Sequence, residues 1–128
     1  MELLLDTVTF LWFLWDDPQL SATARALITD PNNHKFISPA SYWEIAIKLS
    51  TNKLSLGEPY EAFIQVGIQR NHFDILPITV RQTSVVAAMP FHHRDPFDRL
   101  LAAQALAEFM PLVSPDPVFD LYHVSRLW

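Results

Sequence analysis

Four acidic side chains are spaced so that they can work together: Asp6, Glu44, Asp98 and Asp116. Asp6 closes an apolar run, Leu3-Leu4-Leu5. Asp116 follows a second one, Leu112-Val113, by three residues. Asp98 stands in the first turn of an apolar helical stretch. Glu44 lies inside a helix that follows a third apolar run. If those runs are parallel strands, three of the four acids fall at the carboxyl ends of a sheet, where open α/β sheets bind ligands. Glu44 joins them if its helix starts at that edge and faces inward. Buried carboxylates cost several kcal/mol each unless paired or metal-bound. Hard oxygen donors without sulfur suit Mg²⁺ or Mn²⁺. The chemistry this points to is metal-dependent hydrolysis of a phosphoester.

Other chemistries are excluded by composition. With no cysteine there is no disulfide framework, thiolate zinc site or Cys nucleophile. The two glycines, Gly57 and Gly67, leave no P-loop and no G-x-G-x-x-G fingerprint. G-x-S-x-G and H-E-x-x-H are absent as well. Half of the 128 residues are hydrophobic and 18% are charged, which suits one compact domain. The net charge of -5 argues against a protein that coats DNA, yet a metal-binding acid cluster would itself contribute to it. Asp6 interrupts the first apolar run and no cation precedes it, so it does not read as a signal peptide. The run from Val8 to Trp15 is far too short to span a bilayer. A cytoplasmic protein is expected.

The elements that must hold these acids follow from short apolar runs alternating with helical stretches. Strands are expected at Leu3–Leu5, Lys35–Ile37, Phe73–Leu76 and Leu112–Val113, with a weaker fifth at Val124–Trp128. Helices are expected at Thr7–Trp15, at Ala22–Thr29 behind a Ser21 cap, and from Pro39 to about Ser50 behind Ser38. Further helices are expected at Pro59–Asn71, Thr79–Met89 and, behind Asp95-Pro96, Phe97–Phe109. The last is apolar almost all round and should be buried. The fold class is α/β: a central, mainly parallel sheet of four to five short strands flanked by helices.

Each acid also has a plainer reading. Asp6 can simply cap the helix after it. Ser41-Tyr-Trp-Glu44 matches a capping box, and Glu44 with Lys48 matches a surface ion pair. Of Asp95 and Asp98, Asp95 is the better cap. Asp116-Pro117 can be an ordinary turn. His92 and His93 are candidate general acids, with an exposed loop pair as the plainer reading. Phe10, Trp12, Phe13 and Trp15 exceed the need of one short helix; they face either the chain's own core or a partner.

Five segments carry a resemblance. They are Leu3-Leu-Leu-Asp6-Thr7, Ser38-Pro-Ala-Ser41-Tyr-Trp43-Glu44-Ile-Ala-Ile-Lys48, Leu76-Pro-Ile-Thr79, His93-Arg-Asp95-Pro-Phe-Asp98-Arg99-Leu-Leu-Ala-Ala-Gln-Ala105, and Leu112-Val-Ser114-Pro-Asp116-Pro-Val-Phe119. In that order they resemble a PIN-domain ribonuclease of the VapC toxin type, over nearly the whole of residues 1–128. The resemblance implies one PIN domain, with Asp6 and Asp98 anchoring Mg²⁺ or Mn²⁺ and Glu44 and Asp116 completing the pocket. Where the family commonly has Thr-x-Asp, this chain has Ser114-Pro115-Asp116, which keeps the hydroxyl but loses a backbone donor. Thr7, Ser41 and Ser114 would support the acids, and Arg99 or Arg94 would steady a phosphate oxygen, the plainer reading of either arginine being a surface position or an ion pair with Asp95.

The implied activity is endonucleolytic cleavage of RNA by metal-activated water, with a tRNA or an rRNA loop as target. The implied partners are a cognate antitoxin, bound through a basic or aromatic tail, and a second copy of the chain in a homodimer. No membrane is involved. A haloacid-dehalogenase phosphatase is disfavoured because it needs a second aspartate at position 8, which is Val. A receiver domain lacks its acidic pair and late lysine. The rival of a different class is a catalytically silent PIN-fold protein that binds protein or RNA.

Overall fold

The computed structural model describes residues 1–128. The elements run β1 (Glu2–Leu5), α1 (Thr7–Trp15), α2 (Ala22–Thr29), β2 (His34–Ile37), α3 (Pro39–Ser50), α4 (Tyr60–Arg70), β3 (Asp74–Ile75), α5 (Val80–Ala88), α6 (Pro96–Ala107), β4 (Leu112–Val113), a 3₁₀ helix (Pro117–Tyr122) and β5 (Arg126–Leu127). All five strands form one sheet in the order β3-β2-β1-β4-β5, and every neighbouring pair is parallel.

β1 explains the two-layered core. Leu3, Leu4 and Leu5 are all fully buried, as a central parallel strand covered on both faces requires. Side chains alternate across a strand, so Leu3 and Leu5 enter one core and Leu4 the other. The first core joins them to Phe10 and Leu11 of α1, Ala24 and Ile28 of α2, and Phe63 and Ile64 of α4. The second joins Leu4 and Leu112 to Leu101, Ala102, Ala103 and Ala105 of α6, with Phe119 and Tyr122 from the 3₁₀ helix. α6 is buried as expected. α3 gives Ala40 to the second core and Ile45 to the first, and packs against both α1 and α6. It therefore closes over the seam between the layers.

The aromatic surplus of α1 is largely absorbed within the chain. Phe10 and Phe13 each lie 5.9 Å from the Phe73 ring, and Trp12 lies 6.0 Å from Trp128. Trp15 remains partly exposed.

The strand order creates the crevice. From β1 the chain builds outward through β2 to β3, then returns to place β4 on the opposite side of β1. The connections leaving β1 and β4 diverge, one into α1 and the other into the 3₁₀ helix. A gap at the carboxyl ends of such a strand pair is where ligands bind in open parallel sheets.

Candidate metal centre at the strand crossover

Asp6 is the first residue past β1. Its amide donates to the Val113 carbonyl at 3.2 Å, tying it to β4. Thr9 reinforces the tie, its hydroxyl donating to the same carbonyl at 2.9 Å. Asp6 Oδ1 accepts the Thr9 amide at 2.8 Å, so Asp6 does cap α1. The cap and the site are compatible, because the carboxylate also lines a pocket of about 430 Å³ together with Glu44, Asp98 and Asp116. Residues remote in sequence thus share one cavity.

Asp116 stands at the mirror position beyond β4. Its Oδ1 accepts the Val118 amide at 3.0 Å and caps the 3₁₀ helix. Ser114 links the two aspartates: its hydroxyl accepts the Asp116 amide at 3.0 Å and hydrogen-bonds the Asp6 carboxylate. The serine of Ser114-Pro115-Asp116 therefore keeps a hydroxyl against the acids.

Asp95 is the N-cap of α6, accepting the Phe97 and Asp98 amides at 2.8 and 3.2 Å. That frees Asp98, one turn on, to face the pocket. Glu44 reaches the same pocket from α3. No capping box forms with Ser41, because the helix starts earlier and Ser38 caps it by accepting the Ala40 amide. Ser41 instead accepts a hydrogen bond from the Thr7 hydroxyl at 3.0 Å, joining α1 to α3 beside the site. The Glu44–Lys48 pair does exist, with Oε2 2.8 Å from Nζ, but the glutamate end is buried. Its other oxygen, Oε1, is buried with no partner.

Burial and mutual repulsion shift two of these acids. Asp98 is pushed up to about 8, first by burial and then by the charges of Asp95, Glu44, Asp6 and Asp116. Asp6 is pushed up to about 6 by burial; hydrogen bonds from Ser114 and Thr9 oppose this and the Asp116 charge adds to it. Lys48 is raised, chiefly by its hydrogen bond to Glu44. An unpartnered buried carboxylate oxygen, two acids that resist ionisation and an all-oxygen set suit a hard divalent cation.

His93, read from the sequence as an exposed loop residue, is in the site. Its Nε2 lies 3.0 Å from Asp98 and 3.5 Å from Asp116. Ligand atoms of the three residues lie within 4.8 Å of one another, close enough to share an ion. The ring's polarity argues against ligation by His93. Nδ1 accepts the Asp95 amide at 3.1 Å, which leaves the ring proton on Nε2. A metal-bound histidine has the reverse arrangement, ligating through one nitrogen and donating from the other. His93 is a hydrogen-bond donor to the acids. Tyr122 holds it there, since its hydroxyl accepts the His92 and His93 amides at 2.9 and 2.8 Å. His92 only packs its ring edge-on to Tyr122.

Arg99 is not where a phosphate contact would be. It is buried, and its guanidinium donates to the carbonyls of Val86, Met89 and Pro90 and to the Tyr122 hydroxyl. The Phe91 ring lies 3.9 Å from its central carbon. The reason is helical phase: one residue past Asp98 is a turn of about 100°, away from the pocket. Nor does Arg99 pair with Asp95. It fastens the segment 86–91 that leads into the His93 loop. Arg94, by contrast, is exposed and lines an adjoining pocket with Lys48 and Lys53. Lys53 carried no sequence signal of its own, and His93 only that of a loop histidine pair.

A family profile described as PIN domain matches residues 3–124. No curated protein matches the sequence significantly. Similar solved structures include VapBC2 from Rickettsia felis bound to a DNA fragment from its promoter, at 17% identity and a TM-score of 0.74, covering 99% of this chain and 98% of that one. FitAcB from Neisseria gonorrhoeae is similar at 18% identity and a TM-score of 0.66, covering 98% and 96%. VapBC-1 from nontypeable Haemophilus influenzae is similar at 16% identity and a TM-score of 0.66, covering 99% and 97%. At these identities the likeness is one of fold. No helix is long and apolar enough to cross a membrane.

Proposed function

The chain belongs to the PIN domain family, and from that we propose that residues 1–128 form one PIN domain that is a metal-dependent endoribonuclease, the toxin of a toxin–antitoxin pair. One observation carries the reading. Asp6, Glu44, Asp98 and Asp116 share a pocket at the strand crossover, and a buried oxygen of Glu44 is left without a partner. A structural acid cluster would be neutralised by the protein itself; this one has one ion-paired lysine and the His93 ring N–H as its protein partners.

In this reading Asp6 and Asp98 anchor the ion, with Asp116 and Glu44 completing its oxygen shell. A bound Mg²⁺ or Mn²⁺ supplies positive charge that acidifies water and offsets the charge of a phosphodiester. The chain's own groups do the rest. Ser114 and the Thr9 amide orient Asp6, and Lys48 holds one oxygen of Glu44, which leaves the unpartnered Oε1 for the ion. The His93 Nε2 proton steadies Asp98 and Asp116. Water adds to phosphorus as its proton passes to the site's carboxylates, and the P–O bond to the leaving ribose oxygen breaks, that oxygen taking a proton from solvent; the 2′-hydroxyl is not required as nucleophile. The substrate is RNA, in tRNA or rRNA, and the site of action the cytoplasm.

The partner is a cognate antitoxin, with a homodimer of this chain as the toxin unit. Support for the antitoxin lies in the similar folds of VapBC2, FitAcB and VapBC-1, and in an acidic pocket that complements a basic tail.

The test is cleavage of total cellular RNA by antitoxin-free protein in Mg²⁺, Mn²⁺ or EDTA, beside Asp6→Asn and Asp98→Asn. Discrete products that need both metal and acids are expected. Folded, partner-free protein that cuts nothing in any metal would replace the nuclease with a silent binding module. Preference for single-stranded DNA would overturn the substrate.

A further inference from the structure

A second pocket, of about 360 Å³, opens beside the acidic one and shares Glu44, Lys48, Lys53 and Asp95 with it. Charge reverses across the shared wall. The acidic pocket has five carboxylates to two ammonium groups, whereas the second pocket adds Arg94 and keeps only two carboxylates. Both of those are committed: Asp95 Oδ1 to the amides of α6 and Glu44 Oε2 to Lys48. Lys48 is paired with Glu44, but Lys53 and Arg94 enter no ion pair, as Lys35, Arg70 and Arg81 elsewhere on the chain do not. A chain with nine basic residues against fourteen acidic ones has thus gathered three of the nine on one side of its acid cluster.

The same side carries an aromatic platform. Trp43 is 59% exposed although the next residue on α3, Glu44, is buried. Its ring stands at 83° to Phe97, 5.1 Å away, and Phe97 lines the second pocket. Cations along a groove beside an exposed aromatic face are the two elements with which proteins hold single-stranded nucleic acid: the first for phosphates, the second for unpaired bases. Charge also decides against a basic antitoxin tail as the occupant here, since like charges across an interface are costly.

We propose that this second pocket is the strand-binding subsite of the nuclease: Lys53 and Arg94 hold a phosphate neighbouring the one to be cut, and an unpaired RNA base stacks on Trp43. The proposal rests on the RNA-cleaving reading and names the side from which the strand enters.

The experiment measures binding of a fluorescent single-stranded RNA 12-mer by anisotropy over a range of salt. It uses the full chain carrying Asp98→Asn, so that cleavage does not interfere. Lys53→Gln with Arg94→Gln is expected to raise Kd at least about tenfold at low salt and to flatten the log Kd against log salt plot by about 0.7, the change for one lost phosphate contact. Trp43→Ala is expected to raise Kd about tenfold with the salt slope unchanged, as loss of stacking does. All three side chains are exposed, and unchanged melting temperatures confirm folding. RNA binding and salt slope untouched by the double substitution would overturn the subsite. So would a poly-glutamate peptide competing as well as RNA of equal charge, which would make this face a site for an acidic protein. Cleavage by the unsubstituted chain is scored separately. Cleavage with no effect of the three substitutions removes the subsite and keeps the nuclease; substitution-sensitive binding without any cleavage keeps the subsite and removes the nuclease.

Discussion

A carboxylate that must ionise in a crowded, dry pocket carries a penalty until something neutralises it. Asp98, pushed up to about 8 by burial and four neighbouring acids, carries the larger one here. In EDTA at pH 8.5, Asp98→Asn should melt higher than the unsubstituted chain and should lose the rise in Tm that millimolar Mn²⁺ gives. A lower Tm in EDTA would make Asp98 a structural residue. Arg99 behaves in the opposite way, because removing it orphans buried carbonyls, at about 1–3 kcal/mol each for groups left fully unpaired. Arg99→Met should cost about 2–4 kcal/mol in urea unfolding, and Arg99→Lys should not restore it, since one ammonium cannot reach the Val86, Met89 and Pro90 carbonyls together. Intact stability with lost RNA binding would return Arg99 to the phosphate role. The four acids were legible in the sequence because each sits at a recognisable element boundary or on a buried helix. His93 was not, because its place depends on Tyr122, 29 residues further along the chain. Arg99 was misread because adjacency to Asp98 in sequence is divergence on a helix.

At the scale of elements, two helices were placed by cap-then-proline pairs. Ser38-Pro39 begins α3 at the expected Pro39, and Asp95-Pro96 begins α6 at Pro96, one residue before the expected Phe97. Asp116-Pro117 is the same signal, and it opens a 3₁₀ helix where a turn was expected. That helix matters because it brings Tyr122 under the His93 loop. The edge strands are shorter than their apolar runs: β3 spans Asp74–Ile75 and β5 Arg126–Leu127. An edge strand has a ladder partner on one side only, so apolar character extends beyond pairing. The Asp95 cap serves both fold and site, and two substitutions separate these roles. Asp95→Ala should cost about 1 kcal/mol and fray the turn that carries Asp98. Asp95→Asn keeps the cap, so its Tm should change little while the Asp98 carboxyl titrates lower by NMR, because the largest charge opposing its ionisation is gone. Equal losses of stability in both variants would refute the capping role.

Strand order belongs to the whole molecule, and nothing local announces it. Alternating strands and helices made a parallel sheet legible, but not that β1 is central with β4 beside it, since that choice is made by contacts a hundred residues apart, such as Thr9 with Val113. The order has a thermodynamic consequence, because it sets Asp6 and Asp116 side by side and brings Asp98 over them. The ordinary value of an aspartate is 3.8, against folded values of about 6 for Asp6 and about 8 for Asp98. Between those limits the native chain holds more protons than the unfolded one, so the metal-free protein loses stability as pH rises. The loss should begin above about pH 4 and continue until Asp98 has ionised. A divalent ion held by the proposed site would reverse the sign: it would bind the ionised acids, stabilise the fold by mass action and expel the protons they held. Near pH 7 Asp98 is still mostly protonated, so Mn²⁺ binding should release about one proton per ion, and release should vanish near pH 9.5. Calorimetric titration in two buffers of different ionisation enthalpy reads this directly. Different apparent enthalpies at pH 7 that converge at pH 9.5 are expected, with affinity rising between. Identical enthalpies at pH 7 would mean that the ion does not meet Asp98, and the crossover pocket would then lose its claim to be the metal centre.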